Sequence, residues 1–250
     1  MVRAQGAVLV TGAARGIGAA CAARLAEDFS VVVLGDLDPL TLAESSARVE
    51  AAGARALALA VDVTQEDDVA AAVAAAAAAG PRLAAAVNCA GIGGPRRTIA
   101  EYDLHDWRSV MEVDVTGVFL CMRAELRAML AAGRGSVVNI SSVMGQAAAP
   151  LAPAYTAAKH AVEGMTKSAA LAYAAQGIRV NSVAPGFIDT ELLRTRSSEE
   201  QRAELAGDHP LARLGLPEEV AEVVAFLASD RSSFVTGAQY RVDGGYLTQG

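Results

Sequence analysis

Short β-rich runs alternate with Ala-rich helical stretches along the chain, and this alternation constrains the fold more than any other feature. Ala7–Thr11 reads as a strand that passes through a Gly-rich turn into a helix over Ile17–Glu27. Val31–Asp36, Ala56–Val61, Ala84–Asn88, Ser136–Ser141, Arg179–Ala184 and Gln239–Val242 read as further strands. Between them, helical patterns cover Leu40–Ala52, Glu66–Ala79, Leu104–Ala131 (one long helix or a broken pair), Ala154–Ala175 and Pro217–Ala228. Strands alternating with helices imply βαβ units, hence an α/β fold with helices on both faces of a parallel sheet. Strands buried on both faces are continuously apolar, as the VVVL and SVVNI runs are. Right-handed crossovers make such a sheet doubly wound and place its ligand at the carboxyl ends of the strands. The expectation is one domain over residues 1–250 with about seven parallel strands, and a charged, irregular segment at about 190–215 as a candidate lid.

Composition excludes several function classes. The net charge is −7 and the pI about 5.0, so no basic excess exists to displace counterions from nucleic acid or to dock on an anionic membrane. The apolar share of 53% is inflated by 56 alanines. The longest apolar run, Ala70–Ala79, is too short to cross a bilayer, which needs ~20 residues. The first twelve residues contain no signal-peptide core. Three scattered cysteines, Cys21, Cys89 and Cys121, form no CxxC and no cluster with the three histidines. No metal site or disulfide framework is expected, and a reducing cytoplasm fits best.

Two features carry chemistry. The first is Thr11-Gly12-Ala13-Ala14-Arg15-Gly16-Ile17-Gly18, between the first strand and the first helix. Glycines there permit a tight turn, close approach to a pyrophosphate and close helix–strand packing. The helix N-terminus supplies free N–H groups and partial positive charge. Asp36 ends the second strand, 24 residues after Gly12. A carboxylate at that point accepts from adenosine ribose hydroxyls and repels a 2′-phosphate, arguing for NAD over NADP. Arg15 pulls the other way, and the carboxylate at close range is expected to win. The second feature is Tyr155-Thr-Ala-Ala-Lys159, one face of a helix. An ammonium beside a phenol stabilises the phenolate, and such a Tyr can serve as general base for an alcohol or acid for a ketone. Ser142, 13 residues earlier, adds a hydroxyl for the reacting oxygen.

With these motifs in this order, the chain resembles the short-chain dehydrogenase/reductase family over nearly its whole length. The resemblance implies a Rossmann-type sheet and assigns roles by position. TGAARGIG matches the cofactor loop, with Gly12, Arg15, Gly16, Ile17 and Gly18 as contacts. Asp36 and Leu37 fall at the adenosine, and Asp62-Val63 at the adenine. Asn88-Cys89-Ala90-Gly91 is similar to the family's N-N-A-G, with Cys89 at the second Asn. Asn181 with Pro185-Gly186 matches the stretch beside the nicotinamide, while Ile188 and Thr190 fall at its carboxamide. Tyr155 is implied as acid/base, Lys159 as its partner and a holder of the nicotinamide ribose, and Ser142 as the group orienting the substrate oxygen. One departure stands out: Asp114 occupies the place of the family's catalytic Asn. A backbone role survives that change, but an ionised carboxylate cannot donate. It is also expected to hold Lys159 as a cation.

The implied pocket, with Ser142, Met144, Leu151, Tyr155, Phe187 and Leu192, is mainly apolar. It suggests an uncharged secondary alcohol or ketone, apolar or cyclic, as the small-molecule partner. Arg96 and Arg97 could meet an acidic group or simply be solvated. The nearest enzyme alternative is an NADPH-dependent 3-oxoacyl-(acyl-carrier-protein) reductase. Its carrier-docking basic residues would align with Gly133 and Leu171, neither basic. A non-catalytic NAD-binding regulator is the alternative of another class, and retention of Ser142, Tyr155 and Lys159 argues against it. The resemblance further implies a homotetramer.

Overall fold

The computed structural model describes residues 4–249. Seven strands run as β1 (Ala4–Thr11), β2 (Phe29–Asp36), β3 (Arg55–Ala60), β4 (Leu83–Asn88), β5 (Gly135–Ile140), β6 (Ile178–Pro185) and β7 (Gln239–Val242). They form one sheet in the order β3-β2-β1-β4-β5-β6-β7, and every neighbouring pair is parallel. The helices are α1 (Gly16–Asp28), α2 (Ala43–Ala51), α3 (Glu66–Ala79), α4 (Leu104–Met111), α5 (Val118–Ala132), α6 (Pro153–Tyr173), α7 (Glu191–Arg196), α8 (Glu199–Gly207) and α9 (Pro217–Ala228).

The two-residue period of each strand divides the core. Val8 and Val10 of β1, with Val32 and Leu34 of β2, face one layer, where Leu25 of α1, Val49 of α2 and Val224 of α9 pack. Leu9 and Val33 face the other, with Val73 of α3, Met122 of α5 and Val162 of α6. Each such side chain, fully buried, stabilises the fold by about 1.5–3 kcal/mol. This two-sided burial is why the strands lack polar alternation.

Two differences from the sequence reading, and the choice between one long helix and a broken pair, bear on function. The charged segment expected to be irregular contains α7 and α8, capped by the side chains of Thr190 and Ser198. Ser198 and Gln201 form a reciprocal capping box, which supplies the first-turn N–H groups with partners. Residues 104–132 are one continuous helix, interrupted only by a π-helical turn over Glu112–Gly117. β5 ends at Ile140, so Ser142 lies two residues beyond it.

The chain leaves β1 toward β2 on one side and meets β4 on the other, so a crevice opens at the carboxyl ends of β1 and β4. Thr11 pairs with both Gly35 and Asn88 there. The Thr11 hydroxyl accepts from the Cys89 and Ala90 N–H groups and ties the two strand ends together.

Candidate active site

The loop after β1 lies at this crevice. Gly12 has φ +67°, and a Cβ on it would sit 2.8 Å from the Ala90 backbone. A Cβ on Gly18 would sit 2.0 Å from the Gly12 carbonyl oxygen. Neither position admits a side chain. The first turn of α1 has no side-chain cap and no acidic residue, whereas α3 and α9 begin with acidic residues. An uncapped helix start of positive potential suits a dianionic pyrophosphate, so the loop fits a dinucleotide.

Asp36 ends β2 beside the loop. Its Oδ2 accepts from the Ala14 N–H at 2.9 Å and its Oδ1 from the Leu37 N–H at 2.9 Å. Leu37 itself is exposed. Arg15 points away to Glu191 at the start of α7, with 3.5 Å between Nη1 and Oε1. Thr190 borders the same loop: its Cγ2 lies 3.4 Å from where a Gly16 Cβ would be. Asp62 accepts from the N–H and hydroxyl of Thr64, and Val63 is buried beside Gly117.

The second cluster forms where β5 ends against α6 and the π-helical turn. Ser142 is buried, and its Oγ accepts from the Met144 N–H at 3.2 Å, leaving the hydroxyl proton free to donate. Lys159 is buried, donates to the Ile140 carbonyl at 3.2 Å, and lies 5.3 Å from the centre of the Tyr155 ring. Asp114 is fully buried; its Oδ1 accepts from the Ile92 N–H at 2.7 Å and its Oδ2 lies 3.3 Å from Lys159 Nζ. Burial pulls the Lys159 pKa down, but Asp114 and then Tyr155 outweigh it, so the ammonium is held above its usual range. The π-helical turn carries Asp114 itself, and such turns recur at functional sites.

Several residues implied as cofactor contacts have their side chains engaged elsewhere. Asn88 Nδ2 points into the interior, donating to Glu125 at 3.1 Å and to Asn139 at 3.0 Å. Asn181 binds the chain before β7 through Val235 and Ala238. The Ile188 side chain is packed in the core, Ala90 lies at the crevice beside Gly12, and Gly186, just beyond Pro185 at the end of β6, faces His209 and Asp243. Gly91 directly faces Asp114, since a Cβ there would lie 3.2 Å from Oδ2.

On the substrate side, Met144 is buried, whereas Leu151 and Leu192 are partly exposed. The Arg97 N–H donates to the Leu151 carbonyl at 3.0 Å, so the loop after β4 packs against the loop before α6. Arg96 and Arg97 are exposed. Phe187 packs edge-on against His209 and Tyr246, two residues that no sequence motif singled out. Glu191 was missed likewise, being 176 positions from Arg15. No group of residues able to hold a metal ion and no helix long and apolar enough to cross a membrane occurs among the described residues.

Residues 12–247 match the family model described as enoyl-(acyl carrier protein) reductase. The chain is 49% identical over 244 residues to cis-4-hydroxycyclohexanecarboxylate dehydrogenase of Sinomonas cyclohexanicum, covering 97% of each chain. It is 43% identical over 241 residues to cyclohexanol dehydrogenase of Acinetobacter sp. strain SE19, covering 96% of this chain and 94% of that one. The crystal structure of levodione reductase superimposes with a TM-score of 0.95 at 33% identity, over the full length of both chains.

Proposed function

The chain belongs to the short-chain dehydrogenase/reductase family, whose alcohol–ketone chemistry it shares, and we propose that it is an NAD-dependent dehydrogenase of apolar cyclic secondary alcohols. The observation that carries the reading is the buried Asp114–Lys159 pair set against Tyr155 at the end of the strand that delivers Ser142. When bound, a nicotinamide dinucleotide supplies the hydride acceptor or donor. The uncapped start of α1, with Gly12, Arg15, Gly16, Ile17 and Gly18, holds its pyrophosphate. Asp36 accepts from the adenosine ribose hydroxyls with the acceptor capacity left by its two backbone bonds.

The protein's own residues handle the proton. Ser142 donates its free hydroxyl proton to the substrate oxygen and orients it. The Tyr155 phenolate removes the proton of the substrate hydroxyl, or the phenol returns it to a ketone. Lys159, kept cationic by Asp114, favours the phenolate across the cycle. Met144, Leu151, Phe187 and Leu192 exclude water from the reacting carbon, and residues 190–215 close over them as a lid on a single catalytic domain. The same family membership supports a cytoplasmic homotetramer, in which Phe119 and Leu130 of α5 and Leu171 of α6, all exposed in the protomer, would be covered.

Turnover of cyclohexanol, 4-hydroxycyclohexanecarboxylate and linear alcohols, measured with NAD and NADP in parallel, tests the reading. NAD-dependent oxidation of the cyclic alcohols is expected, falling by about a thousandfold or more in Tyr155→Phe while NAD binding persists. Turnover confined to NADPH and carrier-linked ketoesters would replace this reading with that of an acyl-carrier-protein reductase.

A further inference from the structure

Among the residues from 191 to 216 whose burial is described, His209 alone is buried. Asp208, Pro210 and Leu211 around it are all exposed. His209 is thus the one buried side chain by which this charged, surface-lying segment reaches the body of the protein, beside the backbone bonds from the Gly215 N–H to the Phe187 carbonyl and from the Leu211 N–H to the Gly244 carbonyl.

Both ring nitrogens have fixed partners. The Phe187 N–H points at Nε2 at 3.2 Å, and Nδ1 lies 2.8 Å from the Leu205 carbonyl oxygen in α8. An N–H can only donate, so Nε2 is bare and accepts; a carbonyl can only accept, so Nδ1 carries the proton. His209 is therefore neutral, in a single tautomer, bridging α8 to the segment that follows β6. The ring also packs at 5.7 Å from Phe187 and 5.6 Å from Tyr246. A Cβ on Gly186 would lie 2.7 Å from Nε2, so glycine at 186 is what lets the ring approach.

A second proton on His209 would set an N–H against the Phe187 N–H. The titratable groups on the elements packed around the ring offer it little. Asp243, after β7, has its carboxylate oxygens taken by the Gly245 and Leu247 N–H groups. Tyr246 presents its ring, and Asp208 is exposed beside it in the chain. The groups from α8 and from the Phe187 segment that face the ring are a backbone carbonyl and a backbone N–H, neither charged.

We propose that His209 is a positioning residue whose neutral imidazole locks the 191–216 segment onto Gly186–Phe187, and that acid releases this lock and weakens substrate binding. The effect on substrate rests on the reading above, in which this segment covers the substrate; the lock itself does not.

Two readouts separate these. Hydrogen–deuterium exchange of peptides covering 186–190 and 199–216, corrected for the intrinsic pH dependence of amide exchange, reports the lock without any turnover. As the pH is lowered from 8, protection of both peptides is expected to fall together by about tenfold in the wild type. It stays constant in His209→Gln, whose amide can accept from Phe187 and donate to Leu205 but does not titrate. In parallel, KM for cyclohexanol should rise about tenfold toward acid in the wild type with kcat at saturation changed far less, and stay flat in His209→Gln. His209→Phe, which keeps the aromatic packing but leaves the Phe187 N–H unpaired, should raise KM about tenfold at every pH. Parallel exchange curves for wild type and His209→Gln would overturn the lock. Exchange that follows the expectation while KM does not would overturn only the link to substrate. Absence of cyclohexanol turnover in the wild type would count against the functional reading and leave the exchange result to decide the lock.

Discussion

Glu125 gives the most quantitative handle on this protein. It lies on α5 with no solvent exposure. Its Oε2 accepts one hydrogen bond, from Asn88 Nδ2 at 3.1 Å, and its Oε1 has no partner. Asn88 also donates to Asn139, which donates to Thr166, so the carboxyl ends a polar chain running from β4 through β5 to α6. Burial pushes the Glu125 pKa up from 4.5 to about 7, and the Asn88 bond only partly offsets this. The native state therefore binds a proton more tightly than the unfolded chain. Its contribution is complete below the unfolded pKa and is lost as pH rises through about 7. A shift of roughly 2.5 pH units corresponds to about 3 kcal/mol, of which about 2–3 kcal/mol falls between pH 5 and pH 8. Glu125→Gln keeps the shape and an acceptor for Asn88 but cannot ionise. Urea unfolding at pH 5, 6, 7 and 8, at one protein concentration, is the assay. The variant should match the wild type near pH 5 and exceed it by about 2–3 kcal/mol at pH 8. Two stability curves that run parallel across this range would refute the reasoning, because the carboxyl would then titrate alike in both states.

Two further outcomes follow from the site. Asp114→Asn removes the charge that holds Lys159 above its usual pKa, so activity should persist while the alkaline limb of kcat moves down by about one pH unit or more; superimposable kcat–pH profiles would refute it. Glu191→Gln frees Arg15 from its exposed ion pair, worth about 0–1 kcal/mol, so the ratio of kcat/KM for NADP to that for NAD should rise by up to about fivefold with Asp36 still dominant; an unchanged ratio would show that Arg15 is indifferent to its partner.

Much of the fold was legible because both-face burial writes itself into the strands as unbroken apolar runs. Two helices, Glu66–Ala79 and Pro217–Ala228, have the ends their sequences advertise: acidic residues or a proline at the start, then a glycine or serine just beyond the end. The segment after Thr190 was harder, since α8 has no apolar face to bury. Its signal was Ser198 followed three residues later by Gln201, a capping box in plain view. In the site, local motifs located the glycine turn, Ser142 and the Tyr155–Lys159 pair. What they could not convey was direction. The place of Asn88 in the sequence suggested the cofactor, yet its side chain turns inward to Glu125, 37 residues later. Arg15 meets Glu191, and Phe187 meets His209, across separations that no local pattern encodes.

The three cysteines have a practical consequence. Burial pushes the Cys89 thiol up to about 12, outweighing the opposing influence of Lys159, and raises Cys21 and Cys121 well above their usual range. Since the thiolate is the nucleophile and Cys21 and Cys121 are buried, these two are expected to be silent toward maleimides at neutral pH while the fold is intact, whereas Cys89 is half-buried and is the one to replace. Cys89→Ser would thus give a blank background for site-selective labelling. In that background Glu204→Cys, at an exposed position on α8, would take one fluorophore and report the motion of that helix in real time, with Cys21 and Cys121 left in place.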